Sequence, residues 1–309
     1  MPDKRVTVMG SFVADLAFRA STMPVWGQTI MGSEFRLGPG GKGSNQAVAA
    51  ARLGGRVSFI TKLGNDPFGD LARQTYKEEG IDSRFCFNTS EFATGAASII
   101  VHEVRGENGI VVVPGAGFHL TTADVDRATP LIAESSMFIT QLEIPIPVAE
   151  YGLQVAHRLG VTTVLNPAPA SVLPNSIYQY CDYLTPNESE AAALTGITVT
   201  DLATAERAAD VMLGRGARNV IITLGEKGAF IKNSLVNELV PAFDAGPVVE
   251  TTGAGDSFNG ALVIALSEGL DLLAAVKFGC AAAGISVTRP GTAPAMPRRS
   301  ELDAVLRLP

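Results

Sequence analysis

Short apolar runs alternate along the chain with amphipathic or alanine-rich stretches of helical spacing. The apolar runs, which we predict to be strands, are RVTVMGS, RVSFITKLG, MFITQLE, VTTVLNP, YLTPN and NVIITLG. The helical stretches between or after them are residues 45–53, 68–79, 147–159, 188–194 and 203–215. This alternation predicts an α/β fold, a three-layer α/β/α domain with a mostly parallel central sheet covered by helices on both faces. Ligands bind beyond the carboxyl ends of such strands, so polar or glycine-rich residues directly after a strand are the candidates for a site.

Two segments break this pattern. Residues 16–41 and 93–117 alternate as strands do and lack a helical period, and the loop RGENG is a good hairpin turn. They predict a small antiparallel β-sheet attached to the main body of a single domain over residues 1–309. Such a sheet can be a lid over a site between strand ends or a plain extension of a sheet edge, and the pattern favours neither.

Composition narrows the class of protein. The 309 residues carry a formal net charge of −7 and contain no basic run, which argues against nucleic acid as a partner. No apolar run is long and uncharged enough to span a membrane, and the N-terminus leads straight into a strand without the apolar region of a signal peptide. Three isolated cysteines suit a reducing compartment, so we expect a cytoplasmic protein; they are Cys86, Cys181 and Cys280.

The stretch VVETTGAGDSFNGALVIAL, residues 248–266, changes character halfway. Its β-branched start predicts a strand, and its alanine-rich end predicts a buried helix. Between them, Gly253, Ala254 and Gly255 would let backbone amides at a helix N-terminus surround an anion. A lone acid such as Asp256 in this position is more often an ordinary N-cap, worth ~1 kcal/mol. The glycines before it and the apolar helix after it favour instead a general base that deprotonates a hydroxyl beside a bound phosphoryl group.

Residues 38–55, GPGGKGSNQAVAAARLGG, place glycines around Lys42 ahead of an alanine-rich helix. The stretch is not a Walker loop, because Lys42 is followed by Gly43 and not by Ser or Thr. It is not a dinucleotide fingerprint either, because it does not directly follow the first strand. Packed glycines beside the polar Asn45 indicate a rigid polyol pocket, although a flexible linker ahead of a helix explains the stretch slightly better when it is taken alone.

Polar residues also follow several of the other predicted strands. They are Asp15, Glu143, Asn166, Asn187, Glu190 and the loop 223–228. A cap or a turn explains each of them singly, whereas together they favour one shared cleft. The three histidines lack metal-binding spacing, which argues against a His-ligated metal and against a Ser-His-Asp hydrolase. Mg²⁺ held mainly by phosphates and water, with carboxylates nearby, is compatible with this pattern.

The two glycine-rich motifs together resemble those of a known family. GGKGSNQAVAAARLG and TTGAGDSFNGAL resemble the paired signatures of the phosphofructokinase-B, or ribokinase-like, sugar kinases. LNPAPA, TPNESEAAALTG, VIITLGEKGA and VTRPGTAPAMP resemble the ribokinase branch of that family, so the resemblance covers essentially the whole chain.

The resemblance implies an ATP-dependent carbohydrate kinase that phosphorylates the primary hydroxyl of a pentose, most of all D-ribose, to give ribose 5-phosphate. It implies Mg²⁺ as a cofactor, K⁺ as an activator, and a β lid of about residues 16–41 and 93–117 through which the chain forms a homodimer. The alternatives are a kinase for deoxyribose, a nucleoside or another sugar, and a non-catalytic sensor of sugar or nucleotide on the same fold.

The resemblance also assigns site residues. Asp256 would be the base, and the amides of Gly253, Ala254 and Gly255 would hold the charge that develops on the transferred phosphoryl group. The sugar-contact positions are Val13, Asp15, Gly41, Lys42, Gly43, Ser44, Asn45, Glu143 and Asp256. The nucleotide positions are Asn187, Thr223, Gly225, Glu226, Gly228, Gly255 and Cys280, with Glu190 linked indirectly to Mg²⁺. The monovalent-cation positions, which act mostly through backbone carbonyls, are Glu250, Thr252, Ser286, Arg289, Gly291 and Ala295.

Three positions depart from the ribokinase pattern. Val13 stands where Asn is usual, Glu250 stands where Asp is usual at the cation site, and WGQT stands where the lid usually has Gly-Glu-Thr. Valine can neither donate nor accept a hydrogen bond, so we expect weaker discrimination between ribose and deoxyribose. The alternative is that Ser44, which adds a hydroxyl where Ala is common, or a water molecule restores the lost contact.

Overall fold

The computed structural model describes residues 5–105 and 107–306. Gly106, which belongs to the predicted RGENG turn, lies outside these ranges. Residues 1–4, at the N-terminus where we expect no signal peptide, also lie outside them. No helix within the described ranges is both long and apolar enough to cross a membrane.

The element order alternates strands and helices as the pattern predicts. The strands are β1 (Arg5–Met9), β2 (Val13–Ala20), β3 (Glu34–Gly40), β4 (Arg56–Gly64), β5 (Asp82–Thr89), β6 (Thr94–His102), β7 (Asn108–Gly115), β8 (Met137–Thr140), β9 (Thr162–Leu165), β10 (Tyr183–Leu184), β11 (Asn219–Thr223), β12 (Ala229–Lys232) and β13 (Asn237–Val240). The helices are α1 (Lys42–Arg52), α2 (Pro67–Glu78), α3 (Thr122–Ala133), α4 (Ile146–Arg158), α5 (Glu188–Thr195), α6 (Leu202–Gly214), α7 (Ala254–Ser267), α8 (Leu272–Ser286) and α9 (Arg299–Leu306).

The central sheet has the order β13-β12-β11-β10-β9-β8-β1-β4-β5. Neighbouring strands from β11 to β5 run parallel, whereas β12 and β13 pair antiparallel at one end. Helices α1, α2, α7, α8 and α9 pack on one face of this sheet and α3 to α6 on the other, each with its own buried apolar cluster. The predicted three-layer α/β/α architecture is therefore confirmed.

All five predicted helices are present, and α1 begins at Lys42 where the pattern indicated residue 45. The predicted strand at the start of 248–266 is wrong, because residues 248–252 form a loop. The amides of Val249 and Glu250 both donate to the single carbonyl of Val287, at 2.7 and 3.1 Å, so the segment follows the end of α8 and does not join a ladder. Val248 and Val249 remain exposed to solvent.

The two irregular segments form a separate four-stranded sheet in the order β3-β2-β6-β7, which we call the lid sheet. The expectation of a purely antiparallel sheet is wrong, because its central strands β2 and β6 run parallel. The cause is topological: β2 follows the carboxyl end of β1 and β6 follows that of β5, and those two strands point the same way in the central sheet. Both hairpins therefore leave the main body in one direction.

Candidate functional site

The site lies at the carboxyl end of β1, where the strand order changes direction. After β1 the chain builds β4 and β5 on one side of it and later β8 to β11 on the other. A crevice opens beyond the strand ends at such a switch point. Ser11 follows β1 and Glu143 follows β8, so both lie at this crevice.

The glycine-rich turn before α1 is held against these strand ends. Gly41, the residue that caps α1, has φ +86°, and a Cβ there would lie 2.6 Å from the Val13 nitrogen, so only glycine fits. The Ser44 amide donates to the Ser11 carbonyl at 2.9 Å. The Glu143 carboxylate accepts from the Lys42 amide at 2.8 Å and from the Ser11 hydroxyl. Glu143 therefore fixes the turn as well as facing the crevice.

Asp256 lies in the first turn of α7, after Gly253 with φ +83°, and is 5% exposed. Its carboxylate is directed at α1: Asn45 Nδ2 donates to Oδ2 and Gln46 Nε2 donates to Oδ1, both at 3.0 Å. An N-cap would instead bond the amides of its own helix, so the N-cap interpretation does not apply here. The sequence pattern missed Gln46.

Close packing of two helices makes this contact feasible. A Cβ on Gly260 of α7 would lie 2.5 Å from the Cβ of Ala49 and 2.9 Å from the Gln46 carbonyl on α1. Because both helices are lined by small residues, their backbones approach closely and short amide side chains of α1 reach the start of α7. The alanines of the first motif and the glycine of the second therefore bring the two signatures together.

Burial and neighbouring charges set the protonation of the site. Burial raises the pKa of Asp256, while the Lys42 ammonium and the amide hydrogen bonds lower it. Burial by itself lowers the pKa of Lys42, but the carboxylates of Asp256, Glu143 and Glu190 outweigh it and raise that pKa above its ordinary value. Lys42 therefore stays charged, and Glu190 at the start of α5 is one of the carboxylates that favour its charged form.

Asp15 extends the site into the lid sheet. Burial raises its pKa to about 6, the Thr292 hydroxyl opposes this rise, and the carboxylates of Glu143, Asp256 and Glu250 add to it. Thr292 Oγ1 donates to Asp15 Oδ2 at 2.9 Å and lies 3.2 Å from the Pro39 carbonyl. Thr292 thus ties the lid sheet to the loop after α8, a contact that sequence reasoning missed.

Val13 is buried on the same lid face as Asp15, two residues before it on β2. Ser44 is fully buried on α1, and its hydroxyl has no hydrogen-bond partner among the described residues. Asn45 Oδ1 is buried and has no hydrogen-bond partner in the part of the chain that the structure describes. An unpaired buried acceptor costs ~1–3 kcal/mol, so a ligand hydroxyl is its natural partner.

The predicted nucleotide residues lie largely together at the ends of β10 and β11. Asn187 caps α5 in a reciprocal box with Glu190 and bridges to Thr223 on the next strand end. Thr223 leads into a short 3₁₀ turn, Gly225–Lys227, that carries the exposed Glu226 and closes at Gly228. Cys280 stands apart in the middle of α8, where burial raises its pKa to about 12, so it offers a neutral apolar contact.

The predicted cation positions gather on two adjoining loops. Glu250 Oε2 accepts from the Gly291 amide at 2.9 Å, and the neighbouring residue 292 lies against Gly253. Arg289 is paired with Glu301, and the Ser286 hydroxyl donates to the Ala283 carbonyl, so neither side chain faces an ion. The remaining positions on these loops are Thr252 and Ala295.

Comparison with known proteins places this geometry among sugar kinases. The sequence profile of the pfkB family carbohydrate kinases matches residues 3–299. A ribokinase of Haemophilus influenzae is 41% identical over 298 residues, 96% of this chain and 97% of the relative. A deoxyribokinase of Salmonella typhi is 34% identical over 304 residues, 98% of this chain and 99% of the relative. The structure of Arabidopsis thaliana ribokinase complexed with ribose and ATP matches with a TM-score of 0.94 and 27% identity, covering 100% of both chains.

Proposed function

Because the chain belongs to the pfkB family of carbohydrate kinases, we propose that it transfers the γ-phosphoryl group of ATP to the primary hydroxyl of D-ribose and forms ribose 5-phosphate. Ribokinase relatives along the whole chain and the likeness to a ribokinase with ribose and ATP support this choice of substrates. The observation that carries the proposal is the Asp256 carboxylate, which is buried and held by two amides of α1 at the start of α7.

Asp256 acts as the general base toward the sugar's primary hydroxyl. Asn45 and Gln46 each occupy one of its oxygens with one hydrogen bond, and each oxygen keeps a further lone pair for the incoming proton. Because the transition state of phosphoryl transfer is loose, the base has to orient the hydroxyl and accept its proton late, and a strongly raised pKa is unnecessary.

The amides of Gly253, Ala254 and Gly255 stabilise the transferred phosphoryl group. They lie at the N-terminus of α7, where the helix dipole favours an anion, and the Ala254 amide also donates to the Thr251 carbonyl at 3.2 Å. A Cβ built on Gly255 would meet nothing within 4 Å, so open space lies directly above the turn. That space suits a phosphoryl group next to the Asp256 carboxylate.

A polyol fits the acceptors of the crevice. Asp15, Glu143 and the unpaired Asn45 Oδ1 are acceptors for sugar hydroxyls, and Lys42 adds a charged donor. The backbone of Gly41, Gly43 and Ser44, which packs against the segment after β1, lines the same sugar pocket.

ATP is held by the strand ends beside the sugar, with Asn187 and the turn from Thr223 to Gly228 around it and Cys280 near the base. Mg²⁺ fits as an ion bound mainly by phosphate oxygens and water, because no cluster of three potential metal ligands exists among the described residues. Glu190 is already engaged by Asn187 at 2.9 and 3.0 Å, which suits an indirect, water-bridged role near that ion.

K⁺ is proposed on the loops of Glu250, Thr252, Ser286, Arg289, Gly291 and Ala295. The contact between residue 292 and Gly253 gives such an ion a route to order the amides at the start of α7. The lid sheet supports a homodimer, because its outer face is apolar and exposed. The three free cysteines support a cytoplasmic location.

A coupled assay of ADP release, run on a panel of ribose, 2-deoxyribose, other pentoses, fructose and a nucleoside, tests the function. We expect the largest kcat/KM with ribose and lower turnover when K⁺ is replaced by a bulky organic cation at matched ionic strength. A higher kcat/KM with any other sugar would replace ribose as the substrate. Sugar and nucleotide binding without ADP release would indicate a sensor.

Deoxyribose is the second candidate substrate. Val13 offers no hydrogen-bond partner on the face of β2 that it shares with Asp15, whereas Asn is usual at this position in ribokinases. The similarity to a deoxyribokinase over nearly the whole chain agrees with this candidate.

A further inference from the structure

A chain of five buried polar side chains lies beneath Asp256, and we call it the amide network. Its members are at most 6% exposed and are Gln46, Gln141, Asn166, Thr185 and Asn259. They come from α1, from the ends of β8, β9 and β10, and from α7. Buried polar groups are costly unless they are paired, so a connected set at this place has a structural or catalytic reason.

The network fixes the orientation of the Gln46 side chain. Gln46 Nε2 donates one hydrogen to Asp256 Oδ1 and the other to Asn166 Oδ1, both at 3.0 Å. Gln46 Oε1 accepts from Gln141 Nε2. A flipped amide would bring its oxygen against the oxygens of both Asp256 and Asn166, so the bonding pattern allows one orientation only.

From Gln46 the network continues to the phosphoryl-binding turn. Asn166 Nδ2 donates to the Thr185 carbonyl at 3.0 Å, and the Thr185 hydroxyl donates to Asn259 Oδ1 at 2.7 Å. Asn259 Nδ2 donates to the Gly255 carbonyl at 2.8 Å. One end of the network therefore holds the base, and the other holds the backbone that carries the amides.

A single donor would leave the Asp256 carboxylate free to rotate, because the terminal torsion of an aspartate has a broad energy well. Asn45 binds one oxygen, and Gln46 binds the other, so together they define the carboxylate plane. The sugar hydroxyl must lie in line between this carboxylate and the phosphoryl group, and a small misalignment of reacting groups is expensive.

We propose that Gln46 is a positioning residue for phosphoryl transfer, and that the amide network holds the Asp256 carboxylate and the first turn of α7 in one fixed relation before the sugar binds. This inference rests on the proposed sugar kinase function. It concerns the order in the unliganded protein, whichever sugar is the substrate.

The test compares Gln46→Met, which keeps the length of the side chain, with Gln179→Met, a control at an exposed glutamine whose amide donates to the Ser176 carbonyl. For Gln46→Met we expect kcat to fall by about 10- to 100-fold while the sugar KM changes by less than about threefold. We also expect the acid limb of the kcat–pH profile to move to higher pH, because the ionised carboxylate loses a donor. The Gln179→Met control should match wild type in kcat, in sugar KM and in the acid limb of the kcat–pH profile.

The inference would be overturned if Gln46→Met folds, binds ADP as wild type does, and keeps the wild-type kcat and acid limb of the kcat–pH profile. If Gln46→Met does not fold, Thr185→Val decides, because it breaks the link to Asn259 and leaves Gln46 bonded. A severalfold loss of kcat at constant KM supports the network, and an unchanged kcat overturns it. A wild type that releases no ADP with any sugar would instead refute the proposed function.

Discussion

Asp256 has an amide donor on each carboxylate oxygen, and this arrangement leads to the first prediction. Asp256→Asn should lower turnover by at least two orders of magnitude, about 3 kcal/mol in barrier height, because an amide cannot take the hydroxyl proton. ADP binding should be retained, as measured by titration calorimetry. The control is Asp244→Asn, at an exposed loop acid that accepts a hydrogen bond from the Gly246 amide. A variant within tenfold of wild-type turnover would exclude Asp256 as the base.

We expect the Asp15 carboxylate to make sugar binding depend on pH. Its pKa of about 6 means that the carboxylate is lost as an acceptor when the pH falls through that value, so sugar affinity should fall there too. Thr292→Val removes a donor to the ionised form, which raises the pKa of Asp15 further and moves the midpoint of affinity to higher pH. Calorimetric sugar titrations at several pH values measure the pH at which half of the sugar affinity is lost. Thr288→Val, whose hydroxyl bonds the Ile285 carbonyl, is the control.

We expect Val13 to influence the balance between ribose and deoxyribose as substrates. Val13→Asn should raise the ratio of kcat/KM for ribose over 2-deoxyribose, because the amide restores a partner for a sugar hydroxyl that is otherwise desolvated at a cost of ~1 kcal/mol. Steady-state kinetics with both sugars give the ratio. If it does not change, Val13 only packs under the lid sheet and selectivity arises elsewhere in the crevice.

Sequence reasoning proposes Asp256 as the base because its motif is local, and it does not point to Gln46 or Thr292. Gln46 bonds Asp256 across 210 residues, and Thr292 bonds Asp15 across 277. Nothing near either residue in the sequence indicates its partner, since only the packing of α1 on α7 and of the α8 loop on the lid sheet creates the contact.

Elements with a clear period were predictable, and elements without one were not. Helix α8 is buried along most of its length, so it has no amphipathic stripe, and α3 contains Pro130, which usually marks a helix end. The β-branched start of 248–266 has strand propensity but finds no strand partner, so it follows the end of α8 as a loop.

The lid sheet should close on the sugar. Residues 16–41 and 93–117 are joined by the parallel pair β2–β6, so they should gain protection from hydrogen exchange together when a sugar that is turned over is added. Exchange detected by mass spectrometry with and without sugar measures this. Helix α6, on the opposite face of the central sheet, is the internal reference. No gain of protection in either segment would contradict closure.

On the scale of the whole molecule, the alternation of strands and helices was enough to predict the layers. The mixed pairing of the lid sheet was not predictable, because it depends on the positions of β1 and β5 within the central sheet and not on any property of β2 or β6. The sequence also does not show which face of the lid sheet is covered.

The outer face of the lid sheet should form the dimer. Four apolar side chains share the face of the lid sheet opposite Asp15: Phe18, Phe35, Val111 and Val113. They are partly or largely exposed, which is unusual for so many neighbouring apolar side chains. Val111→Glu should therefore give a monomer, because a charge would be buried at the contact. Light scattering after size-exclusion chromatography measures the mass. The control is Val172→Glu, at an exposed valine of the main body. If the Val111→Glu variant still elutes as a dimer, this interface is wrong.

The chain passes between the body and the lid sheet along a single row of residues. Gly40, Val13 and Gly95 face one another in register across three strands, and Gly115 lies opposite Thr94 on the fourth. A sheet attached at both ends of each of its two hairpins along one line can rotate about that line, and the contacts of Thr292 with Asp15 and Pro39 lie beside it. We expect the lid sheet to close by this rotation, and Val13, the residue that departs from the ribokinase pattern, then lies next to the rotation axis and moves little.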